Sequence, residues 1–470
     1  MRMKPLTLRT IAEVTGGRYI GPSESLDTCI TGVVRDHRDA ASGNLFVCFR
    51  GERVDGHEYI ADAFSAGALA CLVEREPSDY LEGAYILVQS TFESLKIIAE
   101  HYRSLFLIPI IGITGSVGKT TTKEMVAAVL SRRFKVHKNE GNLNNEIGVP
   151  LTLLAMKEGH EIAIVEMGIS DFGEMRRIAR MVRPTASIFT IIGHSHLEFL
   201  KNPEGVLRAK SEMFEYMPTD GSVLINGDDA LLSSLSIPNP LLRFGLSSGN
   251  DVFASQVENT GTESTRILIE GTSEPFWAEI PAFGSHLVYA ALAAAALGNH
   301  LGLSQAMIQD GLKNYMPVGS RAKVIQSDTL TIIDDSYNAN PNSMASGLLS
   351  LCTLSGRRLA ILGDMKELGL EEKELHREIG RLAAEHGLDC LLCCGDLAQY
   401  IYEGVISYLP DDNLSHGHPT QAWYFPSKDE LYAVLPSLLA KGDSILVKAS
   451  HSMRFPEIVE ELKALSETLT

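Results

Sequence analysis

Short apolar runs alternate with helical patterns along most of the chain. In the middle of the sequence, the runs Ile108 to Ile113, Glu161 to Val165 and Thr185 to Ile192 are rich in β-branched residues and almost wholly apolar. Strands that are covered by helices on both faces have this composition. A helical pattern runs from about Lys119 to Ser131 between the first two runs. The alternation predicts a parallel sheet flanked by helices.

Similar patterns before and after this region predict two further α/β units. The other strand candidates are Asn44 to Phe49, Ala68 to Val73, Tyr85 to Val88, Leu330 to Ile333, Leu359 to Leu362, Asp389 to Cys394 and Ser444 to Val447. A chain of 470 residues divides into about three domains at roughly 150 residues each. We predict an α/β protein with domains at residues 1–107, 108–316 and 317–470.

Composition narrows the classes of function. With 41 basic and 59 acidic side chains the net charge is -18, which repels nucleic acid and anionic membrane surfaces. The most apolar stretch, Leu287 to Leu297, is shorter than the roughly 20 residues that cross a bilayer and predicts a buried helix. The amino terminus has no signal-peptide pattern. We therefore expect a cytoplasmic protein that neither inserts into membranes nor binds nucleic acid.

The seven cysteines do not suggest a disulfide framework, because their number is odd and they are scattered along a long chain. Only Cys390, Cys393 and Cys394 cluster. A zinc or redox site is one interpretation of this cluster. Its apolar surroundings, and the lack of a second cysteine pair, favour a buried strand instead.

A glycine-rich loop from Gly112 to Thr122 carries the strongest chemical signal. It lies between a predicted strand and a predicted helix, where backbone N–H groups and the helix dipole would face a phosphate group. Lys119 would add positive charge, and the Thr120 hydroxyl would hold Mg²⁺. The spacing differs from the strict P-loop, since the position five residues before Gly118 is Ile113. The candidate phosphate-binding residues are Gly115, Ser116, Gly118, Lys119, Thr120 and Thr121.

Further polar residues follow the predicted strands of the same region. Asn142, Asn144 and Asn145 lie in an amide-rich segment that would bind a phosphate or a substrate carbonyl, or form an ordinary Asx turn. Glu166 and His196 each come directly after a strand. Ligands bind at the carboxyl edge of open parallel sheets, so these two side chains predict a metal site beside the phosphate loop.

These segments occur in the order found in the Mur ligases of peptidoglycan synthesis, and the chain resembles that family over nearly its whole length. The segments that extend the resemblance are Gly43 to Phe46, Asp55 to His57, Glu166 to Gly168, Arg208 to Glu212, Asp335 to Met344 and Leu362 to Gly369. The last two resemble the branch that adds D-alanyl-D-alanine. The resemblance implies a small N-terminal UDP-sugar-substrate-binding domain, a central P-loop-like ATP-binding domain with a parallel sheet, and a C-terminal Rossmann-like domain.

The same resemblance implies an ATP-dependent amide ligase that uses Mg²⁺ and releases ADP and phosphate. Its substrates would be UDP-N-acetylmuramoyl-tripeptide and D-alanyl-D-alanine, joined through an acyl phosphate. We expect a monomeric cytoplasmic enzyme of cell wall synthesis. Whether the third residue of the tripeptide is diaminopimelate or lysine is left open.

The resemblance also implies roles for individual residues. The implied catalytic residues are Lys119, Glu166, His196 and Lys210, and the implied metal-binding residues are Thr120, Glu166, His196 and Lys210, the last as a carbamylated lysine. The implied nucleotide-binding residues outside the loop are Arg321, Asp335 and Asn338. The implied substrate-binding residues are Arg38, Asn142, Asn144, Asn145, Tyr337, Asn340, Lys448 and Ser450. Without the resemblance, Lys210 would be taken for a helix-surface lysine, Arg321 for a solvated turn arginine and Asp335 for a strand-end acid.

Several positions depart from the family pattern. His37 replaces a serine expected near the sugar diphosphate, Leu287 and Ala290 replace two asparagines that approach adenine, and His451 replaces an arginine. The departures at Leu287, Ala290 and His451 support one alternative, a nucleotide-binding relative with reduced or altered activity. A second alternative is a ligase of the same fold, such as a folate-polyglutamate-type enzyme, that uses another amino-acid acceptor.

Overall fold

The computed structural model describes residues 3–51, 54–76, 83–284, 286–408 and 419–469, and its strands form three sheets. The predicted α/β fold class, with parallel sheets covered by helices, is confirmed. None of the helices in these described ranges is both long enough and apolar enough to span a membrane.

The first sheet has five strands in the order β1-β5-β4-β3-β2, and only β1 is antiparallel to its neighbour. Its elements are α1 (Leu8–Thr15), β1 (Arg18–Ile20), β2 (Gly32–Val34), β3 (Asn44–Val47), α2 (Ile60–Ser65), β4 (Ala70–Val73), β5 (Ala84–Leu87) and α3 (Thr91–Ser104). Helix α3 joins this unit to the next, since the Tyr102 hydroxyl donates to the Met156 carbonyl over 2.8 Å.

The central sheet has nine strands in the order β14-β13-β12-β11-β10-β9-β6-β8-β7. Its elements are β6 (Ile110–Thr114), α4 (Lys119–Leu130), β7 (Val136–Lys138), α5 (Gly148–Leu154), β8 (Ile162–Glu166), α6 (Glu174–Val182), β9 (Ala186–Phe189), α7 (Leu197–Leu200), α8 (Pro203–Ser211), β10 (Ser222–Asn226), α9 (Ala230–Ser233), β11 (Leu241–Gly245), β12 (Val252–Thr260), β13 (Ser264–Glu270), β14 (Phe276–Ile280), α10 (His286–His300) and α11 (Gln305–Lys313). The three strands predicted here, β6, β8 and β9, pair in parallel as predicted, and β7, β10, β11 and β12 continue the parallel arrangement. The antiparallel extension through β13 and β14 was not predicted.

The Ala-rich segment of α10 is buried on all sides between the sheet and α4, which confirms the predicted buried helix. Small side chains let two helices approach closely, and their complete burial removes apolar surface from water. Helix α4 begins directly after the glycine-rich loop. The packing of α10 against α4 therefore fixes the helix that carries Lys119 and Thr120.

The third sheet has six strands in the order β15-β16-β20-β17-β18-β19, and only β15 is antiparallel. Its elements are β15 (Lys323–Gln326), β16 (Leu330–Asp334), α12 (Pro341–Cys352), β17 (Arg358–Gly363), α13 (Glu372–Glu385), β18 (Cys390–Cys394), α14 (Ala398–Ile406), β19 (Gln421–Phe425), α15 (Lys428–Leu438), β20 (Asp443–Lys448) and α16 (Pro456–Thr468). Cys390, Cys393 and Cys394 are free, buried thiols of β18, which confirms the buried-strand interpretation.

Candidate active site

A cavity of about 620 Å³ lies where the carboxyl edge of the central sheet faces the third sheet. Most of the residues predicted to be functional line it. These are Ser116, Gly118, Lys119, Thr120, Thr121, Asn142, Asn144, Asn145, Glu166, His196, Arg321, Asp335, Tyr337, Asn338, Asn340 and Lys448. Gly115, Lys210, Arg38 and Ser450 are not among the lining residues.

The phosphate loop joins β6 to α4, and two of its glycines are required by its shape. Gly115 has φ 148°, and a Cβ atom there would lie 2.0 Å from the Thr190 hydroxyl oxygen. Gly118 has φ 82° and precedes α4 without a side-chain cap. The first N–H groups of a helix have no partner within it. The loop thus presents an uncapped helix start to the cavity, as an anion site requires.

The Lys119 side chain folds back over the loop. Its ammonium group donates to the Gly115 carbonyl over 2.8 Å and approaches the Ser116 carbonyl at 3.5 Å. Burial lowers the pKa of Lys119, the nearby Glu166 carboxylate opposes this shift, and Arg321 adds to it. Carbonyl groups of the loop thus hold the ammonium. An anion bound at the same place would form a stronger hydrogen bond with it than these neutral carbonyls do.

Glu166 ends β8 and is 1% exposed. Its two carboxylate oxygens accept from the Thr120 hydroxyl over 3.1 and 2.9 Å. The Asn144 amide donates to the same carboxylate over 2.8 Å, and the Lys123 ammonium lies 3.8 Å from it. The predicted proximity of the phosphate loop and the strand-end acid is confirmed, and the amide-rich segment lies beside them.

The amide-rich segment is held by its own side chains as well as by Glu166. Asn145 accepts from the Gly148 N–H over 2.9 Å at the start of α5, and Asn142 accepts from the Asn144 amide over 2.8 Å. The Asx-turn interpretation therefore describes Asn145. Asn144 differs, because its amide reaches Glu166 inside the cavity.

His196 follows β9 with φ 53°, a conformation that few residues other than glycine adopt. Its Nδ1 atom lies 2.5 Å from a carboxylate oxygen of Glu367, which belongs to the loop after β17. Burial lowers the pKa of His196, the Glu367 carboxylate raises it, and Lys119 and Lys210 lower it further. This imidazole thus joins the central unit to the third sheet.

Lys210 lies in α8 and is 1% exposed, so the helix-surface interpretation is wrong. Burial holds the pKa of Lys210 well below the usual lysine value, Lys119 lowers it further, and Glu174 acts in the opposite direction. Within the described ranges no hydrogen bond or ion pair reaches its ammonium group. A buried, unpaired ammonium is unfavourable, so this position favours a neutral amine.

The far wall of the cavity comes from the loops at the carboxyl edge of the third sheet. The Arg321 guanidinium stacks over the Tyr337 ring at 4.0 Å. Lys448 is buried and donates to the Asp335 carboxylate over 2.6 Å and to the Asn338 carbonyl over 3.0 Å. Asp335 and Lys448 were predicted in separate roles, yet they form one partly buried ion pair.

Two other predicted substrate residues have structural partners. The Asn340 side chain accepts from the Ser343 N–H over 2.9 Å and caps α12. The Ser450 hydroxyl accepts from the Lys366 N–H over 2.9 Å and lies outside the cavity lining. His451 is exposed, and its ring centre lies 5.3 Å from that of Tyr337.

The other departures from the family pattern also have structural partners. Leu287 and Ala290 are each 2% exposed and pack in the central apolar core. His37 stacks on Tyr59 with ring centres 4.4 Å apart. Arg38 is exposed, pairs with the neighbouring Asp36, and does not line the cavity.

A second cavity of about 390 Å³ lies beside the phosphate loop, at the ends of β9 and β10. Tyr289, Asp228 and Asn226 line it together with the backbone after β9. The Asp228 carboxylate accepts from the Leu246 N–H and the Asn250 amide. Burial, with a smaller effect from Asp228, raises the pKa of Tyr289 to about 12. No local sequence pattern indicates this cavity.

Comparison with known proteins identifies the family. Three family models match: the Mur ligase middle domain at residues 113–298, the Mur ligase glutamate ligase domain at 320–451 and the Mur ligase family catalytic domain at 30–103. The UDP-N-acetylmuramoyl-tripeptide–D-alanyl-D-alanine ligase of Bacillus subtilis (strain 168) is 38% identical over 460 residues, which cover 97% of this chain and 98% of that protein. The chain belongs to the Mur ligase family.

Solved structures of Mur ligases have the same architecture as this chain. MurF from Acinetobacter baumannii matches with a TM-score of 0.88 and 29% identity, over 99% of this chain and 100% of that one. The MurF ligase from Thermotoga maritima in complex with ADP matches with a TM-score of 0.80 and 26% identity, over 93% and 98% of the two chains.

The side chains of this Mur ligase suit Mg²⁺ that arrives with a nucleotide. No group of three or more histidine, cysteine, aspartate or glutamate side chains that would hold a metal occurs in the described ranges. Mg²⁺ keeps several waters and uses one or two carboxylates plus substrate phosphates. The buried Glu166 carboxylate beside the Thr120 hydroxyl at an uncapped helix start provides this donor set.

Three residues around the site were missed by sequence reasoning. Glu367 lies in the segment Leu362 to Gly369, but its contact with His196 across 171 positions of the chain leaves no local signal. Asn139 accepts from the Glu166 N–H over 2.6 Å. Lys123 lies on the buried face of α4, and a lysine at a core-facing helix position is a signal that the sequence did contain.

Proposed function

We propose that this Mur ligase joins D-alanyl-D-alanine to UDP-N-acetylmuramoyl-tripeptide in an ATP-dependent step of peptidoglycan precursor synthesis. The observation that carries the proposal is a single cavity lined both by the phosphate loop with Glu166 and by the loops after β16 and β20. The nucleotide and the amine acceptor would meet there. The full-length similarity to the Bacillus subtilis ligase supports this substrate pair.

The reaction has two steps. A carboxylate oxygen of the tripeptide attacks the γ-phosphorus of ATP, the bond between the β- and γ-phosphoryl groups breaks, and ADP leaves. The dipeptide amine then attacks the acyl carbon of the resulting acyl phosphate, phosphate leaves, and the amine loses a proton. In phosphoryl transfer the protein contributes mostly positioning and charge neutralisation.

The phosphate loop would bind the triphosphate through the backbone of residues 115–118 and the first turn of α4, with Ser116 and Thr121 beside it. The Lys119 ammonium would exchange its contact with the Gly115 carbonyl for a phosphoryl oxygen. Thr120 and Glu166 would hold Mg²⁺, and His196 would serve a second ion. Bound Mg²⁺ would supply neutralisation of the charge that develops on the phosphoryl oxygens.

Lys210 would complete the metal site as a carbamate. The neutral amine that burial favours is the form that adds to CO₂, forming an N–C bond and releasing one proton. Both Lys119 and His196 interact electrostatically with Lys210. An ammonium group at Lys210 repels the positive charge of these neighbours, whereas a carbamate there is an anion and would attract it.

The base of ATP would occupy the second cavity. Leu287 and Ala290 are buried in the core, so neither offers an amide to adenine. Tyr289 and Asp228 line that cavity with polar groups and would recognise the base instead. Asp335 and Asn338 would approach the ribose, and Arg321 the phosphates.

The remaining predicted residues would bind the two peptide substrates. Asn142, Asn144 and Asn145 would lie beside the tripeptide, and Tyr337, Asn340 and Lys448 would form the dipeptide wall with His451. Arg38 would meet the UDP-sugar on the first sheet, where His37 already stacks on Tyr59. We further propose that the enzyme acts as a monomer in the cytoplasm.

An ADP-release assay tests this function. Purified protein receives Mg²⁺, ATP and UDP-N-acetylmuramoyl-tripeptide, and D-alanyl-D-alanine is omitted from a parallel reaction. We expect ADP release that depends on the dipeptide, with the amide product identified by mass spectrometry. Binding of ATP without release would indicate a nucleotide-binding relative, and release with a different amino acid would indicate another acceptor. Either result would refute the proposed substrate pair.

A further inference from the structure

Lys123 is a fully buried lysine that neither of the proposed steps uses. It lies on α4, one turn after Lys119, and its side chain is 0% exposed. It is not among the residues that line either cavity. Burying an ammonium group is unfavourable unless it is paired and hydrogen-bonded, so its contacts should indicate what it stabilises.

Among the residues that the structure describes, the Lys123 ammonium has four partners on three different segments. It donates to the Asn139 carbonyl over 2.9 Å and to the Gly141 carbonyl over 3.4 Å. It lies 3.1 Å from a Glu124 carboxylate oxygen and 3.8 Å from the Glu166 carboxylate. One cation thus joins the helix of the phosphate loop, the start of the amide-rich segment and the end of β8.

Asn139 extends this network to the backbone of Glu166. Its side-chain oxygen accepts from the Glu166 N–H over 2.6 Å, and its amide donates to the Leu143 carbonyl over 2.6 Å. Asn139 is itself 0% exposed. Lys123 therefore restrains Glu166 in two ways, directly at its carboxylate and indirectly through the residue that binds its main chain.

The Glu166 carboxylate is consequently held between two sets of groups. Thr120 and Asn144, which line the cavity, donate to it, while Lys123 lies outside the cavity lining. A buried cation attracts a nearby carboxylate and limits its rotation. A carboxylate oxygen that is fixed in this way is a suitable ligand for a hard divalent cation.

We propose that Lys123 is a positioning residue for the nucleotide-bound metal. It holds Glu166 in place and fixes the amide-rich segment relative to the phosphate loop, without touching substrate. The proposal rests on the function proposed above and names an additional residue on which that function depends.

Mn²⁺ binding to the enzyme–ADP complex, measured from the electron paramagnetic resonance signal of free Mn²⁺, tests this role. Lys123→Met keeps the length of the side chain and removes its charge and donors. Lys123→Gln, measured in parallel, keeps a donor but no charge. Lys138→Met is the matched control, because Lys138 also pairs with Glu124 but has no contact with Glu166 among the described residues.

We expect Mn²⁺ to bind at least tenfold more weakly to both Lys123 variants and within twofold of wild type to Lys138→Met. In the ligation assay, kcat should fall at least tenfold while the KM for D-alanyl-D-alanine, whose proposed wall Lys123 does not contact in the described ranges, is unchanged. Circular dichroism at the assay temperature establishes that each variant is folded. Lys123→Arg retains the charge and should restore part of the Mn²⁺ affinity.

The result that would overturn the proposal is a folded Lys123→Gln or Lys123→Met variant with wild-type Mn²⁺ affinity and kcat, changed only in its unfolding temperature. That result would make Lys123 a purely structural core lysine. Failure of the proposed function is distinguishable, because the wild-type protein itself would then neither bind Mn²⁺ with ADP nor release ADP.

Discussion

Replacing Lys119 with methionine removes the ammonium group of the phosphate loop and keeps a side chain of similar length. Loss of one preorganised group that stabilises transition-state charge reduces kcat by about 10²–10³-fold, or about 2.7–4 kcal/mol. The Lys119 ammonium lies within hydrogen-bond distance of the loop carbonyl at Gly115, and burial lowers its pKa. Charge interactions are strong in such a partly desolvated place. We therefore expect a loss near the upper end, about 10³-fold.

The same substitution should leave stability equal or slightly higher. A lowered lysine pKa means that folding penalises the protonated form, so removing the ammonium removes an unfavourable interaction. ADP release at saturating substrates measures kcat, and scanning calorimetry measures the unfolding temperature. Lys135→Met, at an exposed lysine, is the control. A kcat within tenfold of wild type, or a marked loss of stability in Lys119→Met, would refute this reasoning.

Three further outcomes are expected. Burial lowers the pKa of His137 from 6.5 to about 4, so the folded protein favours the neutral imidazole. The free energy of unfolding should therefore be highest above pH 6.5. It should fall by up to about 3 kcal/mol as the pH drops towards 4, at about 1.36 kcal/mol per pH unit. His137→Gln should flatten that dependence in urea unfolding. Asp335→Asn leaves the buried Lys448 ammonium with carbonyl partners only and should lower the free energy of unfolding by about 3 kcal/mol. A double-mutant cycle with Lys448→Met that finds no coupling would contradict this expectation. Tyr289→Phe should raise the KM for ATP severalfold and leave the KM for the dipeptide unchanged; an unchanged ATP KM would place the base elsewhere.

The sequence predicted those parts of the site whose signal is local. The phosphate loop lies between a strand and a helix within a few residues, and Glu166 directly follows a buried strand. The parallel pairing of the strands then places these groups at one edge. Local pattern was therefore sufficient for the part of the site that would bind phosphate and metal.

Groups that meet through tertiary contacts were less accessible to prediction. The pairing of Asp335 with Lys448 spans 113 positions, and no spacing rule connects an acid after one strand to a lysine at the end of another. Ser450 has suitable chemistry for a substrate contact, but its hydroxyl is used by the Lys366 N–H. Residue type alone does not reveal which polar groups are already satisfied within the fold.

The second cavity illustrates a different difficulty. Leu287 and Ala290 were compared with a family pattern, and their apolar character suggested that adenine is held differently. The structure places the polar groups on neighbouring positions instead, at Tyr289 on the same helix and at Asp228 after β10. A comparison of single positions shows that a polar side chain is missing, but it does not show that a neighbouring position supplies a polar group to the same cavity.

Thr190, at the end of the neighbouring strand β9, determines much of the geometry of the phosphate loop. Its hydroxyl donates to the Val117 carbonyl over 2.5 Å and occupies the space that a side chain at Gly115 would need. The conformation of the loop is therefore restrained by a residue that follows it by more than 70 positions. Transplanting residues 112–122 into an unrelated strand–turn–helix would therefore not reproduce the anion site. A graft that also carried β9 and Thr190 would include the contacts that hold Gly115 and Val117 in place.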